Sequence, residues 1–208
     1  MKFFLYLLLG TAVSILGSIL PSMLNMTVVK FSLKSGRKSA IYLAAGISLI
    51  LILQSSIAIY LSDILMRNSE YINTIQKVAT AIFFLISINF FRISRKSKYK
   101  PRKERIQKST AFLHGVVLSF LNVFAIPFYF TVITFLIASK IFEFSYLNAL
   151  FFSLGAALGT FMFLGIYAFV AKKIEFKLHF LATKMDFILG CLTGFVALGN
   201  TAYIFINS

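Results

Sequence analysis

An all-α membrane protein is the fold class this sequence predicts: six transmembrane helices arranged as a 3+3 inverted repeat, both termini outside. Three observations carry that expectation. Of 208 residues, 59% are hydrophobic and only 13% are charged, and mean hydropathy is +0.89. Charge-free runs recur at close to the ~20 residues a bilayer core demands. The basic residues gather in alternate connecting segments.

The runs are Phe3–Val29, Ser39–Ser62, Val78–Phe91, Ser109–Ser139, Phe144–Ala171 and Phe187–Ser208. The first follows Lys2, outlasts the apolar stretch of a signal peptide and lacks an A-x-A cleavage site, so it reads as a retained helix. The third is short. It reaches spanning length by starting at Ile72, with Lys77 snorkelling outward. All 208 residues then form one transmembrane domain with no soluble domain of any size: residues 1–91, a basic loop 92–108, and residues 109–208.

Charge placement orients the spans. The first, third and fifth connecting segments hold every Lys and Arg except Lys2, Arg67, Lys77 and Lys140. Positive loops stay cytoplasmic, which places these segments inside a bacterial inner membrane and the termini outside. Deleting the third span would put the first basic loop and the dense 92–108 cluster on opposite sides. The net charge of +15 therefore reads as topology and not as a nucleic-acid surface. The stretch RISRKSKYKPRKERIQK, Arg92–Lys108, also suits anionic lipid, at about 1 kcal/mol per cation near such a surface.

Three helices per half make the second half enter from the opposite side. Pro21 lies as far from Phe3 as Pro127 does from Ser109, and the second run of each half carries small residues, Ala44-Ala45-Gly46 and Gly155-Ala156-Ala157 with Gly159. A proline inside a helix donates no N–H and crowds the carbonyl four residues earlier, here Gly17 and Val123. Such a carbonyl in lipid must be buried in protein or face a wet cavity. Two readings are open: packing kinks, or a pair of interrupted helices around a midplane site. Ser22 and Asn25 beside Pro21, and Asn122 ahead of Pro127, offer groups that both donate and accept. Gln54, with Ser55 and Ser56, is a further lining candidate. Interhelical hydrogen bonds are the plainer role for these amides, at about 0.6 kcal/mol each. The GxxxG pairs Gly155/Gly159 and Gly190/Gly194 read as close helix packing.

Several classes are disfavoured. Cys191 is the single cysteine, so no internal disulfide forms. His114 and His179 are far apart, and no closed metal site or cofactor is expected. GxSxG, HExxH and Walker patterns are missing, which argues against an enzyme or an ATP-driven pump. No Asp or Glu falls inside a run; Asp63 and Asp186 sit at edges. His114 is the one coupling candidate well inside a span, with snorkelling as its plainer role.

The stretch Leu20–Gly46, LPSMLNMTVVKFSLKSGRKSAIYLAAG, resembles the first-helix signature of the LysE-type amino-acid exporter family. Leu33-Lys34-Ser35-Gly36-Arg37-Lys38 matches the family's Leu-x-x-Gly-Arg-basic segment, and Pro21 matches its motif proline. The family's preceding glycine is Leu20 here, and Ser22 follows. Asn122 is similar to the asparagine opening the second signature; its Pro-Lys pair is replaced by Val123-Phe124, with Pro127 later. The chain looks like a divergent branch. The resemblance implies export of amino acids or similar small solutes, driven by an ion gradient, and is compatible with a homo-oligomer. The alternatives are a non-transporting scaffold or assembly protein and a divalent-cation exporter, with a channel weaker still.

Overall fold

The computed structural model describes residues 2–19, 22–67, 108–122 and 124–206, with isolated positions between 81 and 92. Most of the expected third span and of the basic loop 92–108 lies outside the described residues. Six helices follow in order: α1 Lys2–Ile19, α2 Met23–Ser35, α3 Arg37–Arg67, α4 Lys108–Phe120, α5 Ala125–Ala138 and α6 Tyr146–Ile206. No strand occurs among the described residues.

Helix α3 and the Tyr146–Ile174 part of α6 are each long and apolar enough to cross a membrane. The first and fourth apolar runs are not single rods. Helices α1 and α2 meet at 80°, and α4 and α5 at 60°, each pair qualifying as one broken span. That makes two membrane-crossing candidates, or four with the bent pairs.

One feature differs from the sequence reading. Helix α6 runs unbroken for 61 residues, through the basic segment where a loop was expected. No Gly or Pro stands between Lys172 and Asp186, and Lys, Glu, Leu and Ala there are good helix formers. At 1.5 Å per residue this helix is about 90 Å long, well beyond one bilayer crossing. Gly36, in the Ser-Gly-Arg turn between α2 and α3, has φ +88. That conformation suits glycine, and it reverses the chain within a single residue.

Helix pairing crosses between the halves. Gly10 of α1 lies against the backbone of Phe152 and Ala156 in α6, and Gly155 against Leu7. Gly115 of α4 lies against the backbone of Leu43 and Ile47 in α3, and Gly46 against Phe112. The spacings are identical: Leu7 is to Gly10 as Phe112 is to Gly115, and Phe152-Gly155-Ala156 repeats Leu43-Gly46-Ile47. In all four places a methyl group would fall on a backbone carbonyl oxygen. Two small-residue crossings of the same geometry therefore join α1 to α6 and α4 to α3. Thr11 Oγ1 donates to the Gly155 carbonyl at 3.0 Å, and Ser119 Oγ to that of Ile47 at 3.1 Å.

Among the described residues three apolar clusters result, the smallest being Met26, Val29 and Ala171. Of the two larger, one joins Tyr6, Leu51, Ile59, Tyr129, Ile133 and Phe152, from α1, α3, α5 and α6. The other joins Val28, Phe31, Leu43, Ile47, Ala111 and Leu164, from α2, α3, α4 and α6. Each broken pair passes from one core to the other at its break, and the order is opposite: α1 then α2 leaves the first core, α4 then α5 enters it. Polar side chains collect at these crossings.

Candidate functional site at two helix breaks

At the first break, α1 ends at Ile19 and α2 begins at Met23. Pro21 lies outside the described residues. Ser22 is the N-cap of α2 in extended geometry; its hydroxyl accepts from Asn25 N–H at 3.4 Å. Serine suits this position because its oxygen satisfies a first-turn donor. The same hydroxyl donates to Asn25 Oδ1 at 3.1 Å. Asn25, 2% exposed, donates from Nδ2 to the Ser18 carbonyl at 2.9 Å. The Tyr167 hydroxyl of α6 is also hydrogen-bonded to it. Both ends of the Asn25 amide are thus engaged, and it closes the carbonyl end of α1.

At the second break, α4 ends at Phe120 and α5 begins at Ala125. Pro127 is the third residue of α5. There its missing N–H costs little, since first-turn donors have no intrahelical partner. The bend therefore falls ahead of the proline, where the sequence reading had it within the helix interior at Pro127. Gln54, 5% exposed, reaches across from α3. Its Nε2 donates to the Ser119 carbonyl at 2.9 Å and to the Asn122 carbonyl at 3.3 Å. Gln54 therefore does at this break what Asn25 does at the first.

The match is incomplete. Gln54 Oε1 is buried and receives no hydrogen bond from a described residue. Flipping the amide offers no escape, because both of its neighbours are carbonyl oxygens that only accept. A buried acceptor without a donor costs about 1–3 kcal/mol. Asn122 is half-buried, and its side chain makes no hydrogen bond with another described residue.

Further polar groups that the sequence reading passed over lie between the breaks. Ser14 and Thr160 hydroxyls are 2.5 Å apart, and both hydrogen-bond the buried Tyr129 hydroxyl, tying α1, α6 and α5 together. The ring of Phe128, in the first turn of α5, lies over Gly17 in the last turn of α1, so the two breaks adjoin through one aromatic side chain. A signal was available: Ser14 follows Gly10 as Ser119 follows Gly115. His114 stands apart. It is exposed on α4, its Nδ1 donates to the Thr110 carbonyl at 2.7 Å, and its ring lies 5.9 Å from that of Phe31. Gln54, Asn122 and Pro127 come together at one break and Ser22 with Asn25 at the other, and His114 joins neither.

Chemically, the arrangement holds neutral donors and acceptors, with amides at both breaks. Among the described residues, no cluster of three or more His, Cys, Asp or Glu could hold a metal ion. No curated protein and no solved structure matches the chain. A family model, LysE type translocator, matches residues 15–200, a range that takes in both breaks and the Gly46/Gly115 crossing. The chain belongs to the LysE type translocator family, membrane transporters whose general role is amino-acid export.

Proposed function

We propose that this protein is a secondary exporter of amino acids or similar small solutes across the bacterial cytoplasmic membrane, built around two interrupted helices in inverted order with the N-terminus outside. The observation that carries the reading is the meeting of two interrupted helices, run in opposite order, at one layer of buried amides and hydroxyls. Interrupted helices at corresponding places mark solute sites in transporters with inverted repeats. Ser22, Asn25, Gln54 and Asn122 frame the site, with Pro127 just beyond the second break.

The glycine crossings refine the motion. Backbone-to-backbone contact at Gly10/Gly155 and at Gly46/Gly115 leaves little room for sliding within each pair. The rocking bodies are then α1 with α6 and α4 with α3, one helix from each half, and α2 and α5 swing at the breaks. Such breaks absorb rotation because they lack continuous helical hydrogen bonds.

Cells expressing the protein should tolerate toxic amino acids, analogues or dipeptides better than vector controls, with lower internal accumulation. Unchanged tolerance across a broad panel, with the protein verified in the membrane, would overturn the proposal. Labelling of single cysteines placed at Lys2 and at Lys34 from the outside tests the topology: the first should react and the second should not.

A further inference from the structure

The two breaks share a fold position but not a hydrogen-bond state, and the difference defines a ligand. Gln54 is 5% exposed, and both its amide hydrogens are directed at the Ser119 and Asn122 carbonyls. Its Oε1 receives no hydrogen bond from a described residue. Beside it lies the carbonyl end of α4, which carries partial negative charge. The Asn122 side chain at the same break is also open to a partner among the described residues. The acceptor left without a donor from a described residue at this break is Gln54 Oε1.

We propose that Gln54 is a specificity-determining residue, its Oε1 accepting a hydrogen bond from an N–H of the solute's protonated amine. This rests on the transport reading above. The site then selects for hydrogen-bond donation and not for positive charge alone. A hard metal cation fits poorly, because it needs a shell of oxygens, whereas here Gln54 offers one open oxygen. A carboxylate in place of Gln54 would hold an ammonium more tightly, but when empty it would be an unpaired charge inside the membrane. A neutral acceptor avoids that state and lets the solute leave, as each transport cycle requires.

The experiment is counterflow in proteoliposomes. Glycine, alanine, leucine, methionine, threonine and lysine are each compared with their α-N,N,N-trimethyl forms, which keep the positive charge and carry no α-N–H. Wild-type protein should exchange the amines at least tenfold better than the trimethyl forms. Gln54→Met, which fills the same volume without the acceptor, should narrow that gap to about threefold or less. Equal exchange of both forms by the wild type would overturn the proposal, as would an unchanged gap in Gln54→Met, which would mean that bulk alone excludes the trimethyl group. Where Gln54→Met does not fold, Gln54→Glu keeps the test alive. Protonated, it still donates to one carbonyl and accepts from the solute, so the gap stays wide. As rising pH ionises it, the carboxylate accepts more strongly from an N–H and the gap widens further. A pH-independent gap in that variant would count as refutation. Absence of flux with every probe would remove the transport reading itself, a result distinct from flux without discrimination.

Discussion

The first break is closed and the second is left open, although both are built to one plan. At α1–α2 a single asparagine, Asn25, has both ends of its amide engaged, by Ser18, Ser22 and Tyr167. At α4–α5 a glutamine from a different helix, Gln54, binds two carbonyls, and its own oxygen receives no hydrogen bond from a described residue. On the proposed transport cycle a closed break serves as a hinge, because its polar groups are satisfied without a ligand. An open one carries a cost that a ligand relieves. Pseudo-symmetric framework and asymmetric chemistry thus coexist, and the framework lies in the glycine crossings while the chemistry lies in the amides.

The largest effect should come from the framework. Gly10→Leu and Gly115→Leu each force a side chain into backbone carbonyls; overpacking of this kind costs about 3 kcal/mol. Both should abolish a monodisperse peak in detergent chromatography. Were only one of them damaging, the two crossings would not be equivalent.

The amides should separate stability from transport. Asn25→Leu strands the Ser18 carbonyl and should cost about 2 kcal/mol, read as a lowered melting temperature. Gln54→Met leaves the Ser119 and Asn122 carbonyls their backbone donors, the N–H groups of Asn122 and Ala125, and deletes an unsatisfied oxygen, so its thermal penalty should be smaller, about 1 kcal/mol. The order should reverse in exchange assays, where Gln54→Met does the greater harm among variants that fold. The same order in both measurements would erase the distinction between hinge and ligand site.

The smallest effect concerns the contact joining the breaks. A methyl group at Gly17 would come within 2.6 Å of Phe128 Cζ, but the ring is the far end of a side chain and can tilt. Gly17→Ala should cost about 1 kcal/mol and slow exchange several-fold, while Gly17→Ala with Phe128→Leu should recover the rate. No recovery in the double variant would place the Phe128 ring outside the moving contact.

How much was legible in advance differs by element. The apolar runs that became α1–α2, α3 and α4–α5 were evident from charge alone, because bilayer-crossing segments exclude it. Ser22, Asn25 and Asn122 stand in the sequence as polar groups near expected interruptions, and Gln54 as a lining candidate within the second span. Their pairing was not legible: Gln54 reaches α4 from α3 across 65 positions of sequence. Proline at 127 pointed to the right neighbourhood and the wrong residue, since a proline is at ease in a first turn and the chain bends just before it. The fifth connecting segment was read as a loop from its lysines, yet basic residues do not end a helix where Gly and Pro are missing.

By itself, then, the sequence determined a helical membrane protein and the rough location of its interruptions. Those follow from transfer free energies and backbone rules that act along the chain. Only the tertiary structure decided which helices exchange partners and which amide oxygen is left without a donor. Both depend on distances between residues far apart in the chain, and a local pattern carries no record of them.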